Sequence, residues 1–281
     1  ASLYKQADQA QQQGNTELAA RLYLQASQAT VDDKLKVDAA WRSAMVIGET
    51  QAAIVPLQGF YRDYPSQPQA VGIPERIVAI QEKLQDWQGA AKTYQQIMQR
   101  DLNSSPSNAL AALWLAAESE RKARMATQKT VASAAELALY QQYITQPNAD
   151  FAQSIEASER IYQAAVSNND QVARLAEQQR QIAFAQRPNL PAALKPRLDF
   201  MLSRALTEQA APALRSYQAI AIRLPLRDSV AQKQAALQTL LKQQQAIVDL
   251  NVAEFVTQAQ FQIGNSFFEF YQAVLKAPAP A

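Results

Sequence analysis

Proline divides this chain into helix-length pieces. It stands at positions 65, 68, 74, 106, 147, 188, 191, 196 and 225, and between these marks lie long segments with apolar residues at i, i+3, i+4 and i+7. Proline lacks an amide hydrogen and its ring collides with the preceding turn, so in such a sequence it marks joints between helices. The intervening residues are mostly Ala, Gln, Leu, Glu, Lys and Arg, all good helix formers, and β-branched clusters of period two are nearly absent. The sequence predicts an all-α chain.

Composition narrows the chemistry. Among 281 residues there is no Cys and no His, which removes Cys/His zinc sites, thiol nucleophiles, Ser-His-Asp triads and histidine acid/base catalysis. The six glycines, at 14, 48, 59, 72, 89 and 264, are not spaced as a dinucleotide fingerprint or a phosphate loop requires. No cofactor is expected. Basic residues number 27 and acidic ones 25, scattered along the chain, so neither nucleic acid nor an anionic membrane is an expected partner. No apolar run suggests a membrane span. The sequence begins at Ala1 without a charged-then-apolar leader, so a signal peptide or lipid anchor is expected to have been removed or to belong to a longer chain. The lack of cysteine fits an oxidising compartment.

The helices repeat. LYKQADQAQQQGNTELAARLYLQAS, residues 3–27, reads as helix, tight turn, helix: Leu3, Ala7 and Ala10 mark one inner stripe, Gly14-Asn15 the turn, and Ala19, Tyr23 and Ala26 the second stripe. Small residues let two antiparallel helices approach to about 8–10 Å, and the aromatic fills the gap to the next pair. This resembles the tetratricopeptide repeat. A second copy has Trp41 and Ala44 in its first helix and Ala53, Leu57 and Phe60 in its second, with Pro56 expected to kink or delay that helix. A third has Ile77, Ile80 and Leu84, a turn at Asp86-Trp87, then Ala90, Tyr94 and Ile97. The resemblance implies a right-handed superhelix of antiparallel helix pairs, an α-solenoid, with three repeats in residues 1–107 and longer pairs in 108–281 continuous with them.

Beyond residue 110 the pattern loosens. Residues 113–144 form one stretch free of proline and glycine, which is either a single long helix or a hairpin broken near Ala126-Thr127. Residues 149–188 predict a helix pair turning at Ser167-Asn168-Asn169-Asp170. Residues 194–225 predict another pair, and 228–276 two helices meeting around Asp249-Leu250-Asn251.

Few residues invite a chemical reading. Paired carboxylates could serve a glycan hydrolase, but Glu118 and Glu120 lie two apart on a helix and point to different faces, while Asp32 and Asp33 suit a helix start. No catalytic residue and no metal ligand is assigned, and the chain is expected not to be an enzyme. Trp41, Trp87 and Trp114 read mainly as packing residues. Arg121, Lys122 and Arg124 read as partners of Glu118 and Glu120 on a solvated face. Peptide-clamping tetratricopeptide proteins carry Asn, Lys and Arg along the concave side of their first helices. Here the region carries Tyr4, Gln11, Trp41 and Arg42, with Trp114 further on, which suits a groove gripping a protein segment through apolar and amide contacts.

Residues 223–280 hold the most specific motif. A helix bearing Lys233 is followed by one with Thr257, Ala259, Phe261, Ile263, Gly264, Phe267, Phe270, Ala273 and Leu275, then Pro278. This resembles the recurring unit of large tetratricopeptide proteins of the bacterial envelope, related to gliding-motility repeat proteins and associated with TonB-ExbB-ExbD-like energy-coupling systems. Lys276-Ala277 departs from the family's usual Ser or Glu and basic residue. The resemblance implies a periplasmic or outer-membrane-associated scaffold whose partners are other envelope proteins or peptide segments. YRDYPSQPQA, residues 61–70, resembles repeat ends of proteins that help insert β-barrels, which implies an outer-membrane assembly adaptor as the alternative. From a different class, a glycan hydrolase built on a helical superstructure would use Glu118.

The last helix carries one apolar stripe at Phe261, Gly264, Phe268, Tyr271 and Leu275, and a second at Ile263, Phe267, Phe270 and Val274. A helix apolar on two faces needs neighbours on two sides. The chain is therefore expected to be a piece of a longer solenoid, with Phe261, Phe267, Phe268 and Tyr271 packing on a second copy, a partner or a tail folded back.

Overall fold

The computed structural model describes residues 2–279, and every regular element among them is helical. Two compact units divide the chain at Ala149/Asp150. The first holds α1 (Ser2–Gln12), α2 (Thr16–Ala29), α3 (Asp33–Val46), α4 (Gln51–Asp63), a short 3-10 turn (Pro68–Ala70), α5 (Ile73–Lys83), α6 (Trp87–Asp101), α7 (Pro106–Ala126) and α8 (Ala134–Ile144). The second holds α9 (Phe151–Ser167), α10 (Gln171–Ala185), α11 (Lys195–Ala219), α12 (Leu226–Asp249) and α13 (Ala253–Leu275). Within each unit every helix packs on the next in sequence, and α13 also reaches α11.

One device makes several of the turns. A residue in the left-handed region reverses the chain, and the Asn or Asp after it caps the next helix. Gly14 (φ 75°) precedes Asn15, whose side chain accepts from the Leu18 amide. Gln85 (φ 57°) precedes Asp86, which accepts from Gly89, and Asn169 (φ 54°) precedes Asp170, which accepts from Ala173. Each cap satisfies a helix-start amide that would otherwise lack a partner. A Cβ at Gly89 would press on the Asp86 carboxylate and the Gln81 amide as they stand, so a larger residue there would have to move these side chains.

The predicted small-and-aromatic stripes form the core of the first unit. Ala7, Ala10, Ala19 and Tyr23 make one buried cluster. Ala44, Ala53, Leu57, Phe60, Ile73, Ile77 and Ile80 make another, with Trp41 against its edge. Leu84 is a correction: it is 45% exposed, because α5 ends at Lys83 and Leu84 already belongs to the turn.

The delay expected at Pro56 does not occur. α4 starts at Gln51 and runs without interruption through Pro56. Residues 194–225 contain one 25-residue helix, not a pair, and α11 passes through Pro212 as well. In both cases neighbouring helices hold a segment that local preference would weaken, which is how tertiary packing overrides propensity. Residues 113–144 resolve as the hairpin: α7 stops at Ala126, Thr127 caps it, and Gln128 (φ 54°) turns the chain toward α8.

Candidate functional site

The last helix is held from one side. Its inner face presents Phe255, Ala259, Ser266 and Phe270; Phe255 and Ala259 join Ala210 and Ile247, and the Phe255 ring lies 5.4 Å from that of Phe200. Phe270 packs against the buried trio Tyr217, Leu237 and Leu240. Two small residues, Ala259 and Ser266, let α13 settle close to its neighbours. The Tyr217 hydroxyl donates to the Ser266 carbonyl at 2.7 Å, and Gln218 donates to Glu269 at 3.1 Å.

Lys233 completes the brace. It is 4% exposed, and its ammonium donates to the carbonyls of Tyr217 (3.1 Å) and Ile220 (2.8 Å) while lying 4.4 Å over the Tyr217 ring. A cation at the carbonyl end of α11 meets the negative end of the helix dipole. Burial lowers the pKa of this ammonium.

The opposite side of α13 is bare. Phe261 is 67% exposed, Phe268 60%, Tyr271 57% and Phe267 53%, with Val274 and Leu275 beside them. At 100° per residue these positions, with Gly264, cover an arc of about 140°. The two stripes read from the sequence therefore sort differently. Ile263 and Phe270 turn inward, while Phe267 and Val274 join the first stripe in a single outward apolar face.

Three of the five residues assigned to a groove, Tyr4, Gln11 and Arg42, meet near α1 and α3. The Tyr4 hydroxyl donates to Asp38, and the Tyr23 hydroxyl lies 2.5 Å from the Asp8 carboxylate and 2.8 Å from the Gln11 amide oxygen. Arg42 reaches Asp38 at 3.0 Å and Asp8 at 3.7 Å, with its guanidinium 5.6 Å from the Tyr4 ring centre. Burial, then the bond to Asp38, pushes the Tyr4 phenol up to about 12. Asp8, Tyr23 and Asp38 were not singled out in the sequence; their 30-residue separation hid the cluster. Trp41 lies apart, 5.2 Å from the Phe60 ring. Trp114 stands against Tyr140 and Tyr143, at 5.7 and 5.2 Å.

The basic cluster of α7 is not a row of pairs on a solvated face. Arg121 binds Glu118, but Arg124 crosses the hairpin to the buried Glu136 at 2.8 Å, and the Lys122 ammonium sits 4.4 Å from the Trp87 ring. Glu118 also accepts from the Tyr140 hydroxyl at 2.7 Å. Burial raises the pKa of Glu120, with Glu136 adding to it.

A buried polar network in the second unit carried no sequence signal. Arg204 on α11 binds Glu159 on α9 at 2.6 and 2.9 Å and Gln181 on α10 at 3.0 Å, with its guanidinium 3.9 Å over Tyr162. Burial works to raise the Glu159 pKa, but bonds from Arg204 and Gln163 outweigh it and hold the carboxyl below its ordinary value. Beside the network runs a groove of about 440 Å³ lined by Arg174, Gln178, Glu208, Pro212 and Arg215. Among the described residues no group of three His, Cys, Asp or Glu side chains could hold a metal, and no helix is long and apolar enough to cross a membrane. No family model, curated protein or solved structure matches the chain.

Proposed function

We propose that this chain is a non-enzymatic interaction scaffold whose helix pairs wind as a right-handed, tetratricopeptide-like superhelix. The outward face of α13 carries the reading: four aromatics, each more than half exposed, stand on a helix braced from behind by Tyr217 and Lys233. A contiguous apolar patch on a rigid support is the usual mark of a protein-binding surface. Glu118, the best candidate for glycan hydrolysis, is engaged by Tyr140 and Arg121, which supports a structural role for it.

The scaffold acts in the bacterial cell envelope, in the periplasm or at the outer membrane, as an accessory part of a TonB-like transport or motility machine. That placement rests on the resemblance of the segment from Lys233 to Pro278 and on the absence of cysteine. In-cell crosslinking followed by mass spectrometry tests it: envelope proteins are the expected partners, and recovery of cytosolic proteins alone would overturn the placement. A glycan-hydrolase assay is expected to show no activity, and turnover lost on Glu118→Gln would refute the non-enzymatic reading.

A further inference from the structure

We propose that the bare face of α13 binds the same face of a second copy, antiparallel across a two-fold axis, to form a dimer. This rests on the reading of α13 as an interaction surface and names its occupant.

The spacing of the stripe is the first argument. Thr257, Phe261, Gly264, Phe268, Tyr271 and Leu275 follow one another at steps of 4, 3, 4, 3 and 4 residues, a pattern that reads the same in both directions. Two such helices laid antiparallel can therefore interlock with the middle of the stripe on the twofold axis. Phe268 then stands over Gly264 of the partner subunit, Phe261 faces the partner's Tyr271, and Leu275 faces the partner's Thr257. Large meets small at the centre. Gly264 leaves a notch there, with nothing within 4 Å of where its Cβ would be. A twofold interface requires this self-complementarity of one patch.

Charge supports the same orientation. Glu254 and Lys276, both exposed, lie on the same flank of the stripe at opposite ends of α13. Antiparallel pairing sets Glu254 beside the partner's Lys276, twice; a parallel pair would leave the two flanks on opposite sides of the seam and set no Glu254 beside a Lys276. The area is adequate as well. Six apolar side chains, 44–67% exposed, offer on the order of 700 Å² per copy, near the roughly 800 Å² per partner of a standard specific interface.

The test is the mass of the 281-residue chain by sedimentation or light scattering, from about 1 to 100 μM. A dimer is expected. Phe268→Glu should weaken it at least about 100-fold, and Gly264→Leu at least about 10-fold, with helix content by circular dichroism preserved. Gly264→Leu adds a better helix former where the monomer has room, so it separates loss of pairing from loss of fold. Glu254→Lys or Lys276→Glu alone should weaken the dimer about 3-fold, and the two together restore it. A monomer at every concentration, or a dimer indifferent to Phe268→Glu and Gly264→Leu, overturns the pairing. A charge swap that fails to restore affinity overturns its antiparallel sense. A monomer that still crosslinks to envelope proteins through α13 would refute the pairing and leave the scaffold reading standing. A dimer that crosslinks only to cytosolic proteins would do the reverse for the envelope placement.

Discussion

The ammonium of Lys233 sits between the ring and the carbonyl of a single residue, Tyr217, whose hydroxyl in turn holds the Ser266 carbonyl of α13. Three helices meet in that chain of contacts. It explains why a lysine is buried at 4% exposure among apolar residues.

Replacing Lys233 with Met opposes two effects. Desolvation of the ammonium, visible in its lowered pKa, is relieved, but the Ile220 carbonyl loses its donor and the end of α11 loses its counter-charge. Hydrogen bonds to charged groups contribute about 1.5–3 kcal/mol, so the loss should prevail and Lys233→Met should destabilise by about 1–3 kcal/mol in a urea titration. A variant as stable as the wild type would show that the ammonium does not hold the helix end.

Glu159 and Arg204 form a bidentate pair whose side chains are only 9% and 14% exposed. Removing one partner strands the other charge, so Arg204→Met should cost about 3–5 kcal/mol. Arg204→Met combined with Glu159→Leu should recover much of that loss. Chemical denaturation of the single and double variants measures it, and strict additivity would contradict a coupled pair.

The phenols of Tyr4 and Tyr94 are pushed up to about 12, chiefly by burial, and burial also raises those of Tyr23, Tyr140, Tyr162 and Tyr217. The folded state then keeps these protons after the unfolded chain has released them near pH 10, so unfolding becomes easier as pH rises. Stability should be untouched by these groups below about pH 10 and fall between about pH 10 and 12. Phenolate absorbance near 295 nm should lag and then rise together with loss of helix. Free, non-cooperative titration of most tyrosines around pH 10 would contradict their burial.

Pro212 inside α11 removes one helical amide. Pro212→Ala should stabilise the chain by about 1–3 kcal/mol, read from the thermal midpoint. A destabilised variant would mean that the α10–α11 groove requires the proline's shape.

Much of the fold was legible because its signals are local. Gly14-Asn15, Asn168-Asn169-Asp170 and Asp249-Leu250-Asn251 announce turns through backbone preferences that neighbours need not supply. The Ala7, Ala10, Ala19 and Tyr23 stripe announces a helix pair because burial must follow helical period. Misreadings fell where distant packing overrides such preferences: Pro56 was expected to delay its helix and residues 194–225 to form a pair, yet α4 starts at Gln51 and α11 is one continuous helix. Arg124 illustrates the same limit, since nothing nearby in sequence points to its partner Glu136 across a hairpin.

What the sequence by itself determined is the all-helical class and the positions of most turns, together with the aromatic richness of the last helix, since each depends on residues within one or two turns of one another. Which aromatics of α13 turn inward was decided only by the tertiary structure. Phe267 and Phe270 look alike in sequence, three residues apart; Phe270 packs on Tyr217 and Leu240, and Phe267 is left on the outward face. The pairing of Arg204 with Glu159 belongs to the same category, because the attraction between buried charges depends on distance and desolvation, and both arise only when α9 and α11 come together.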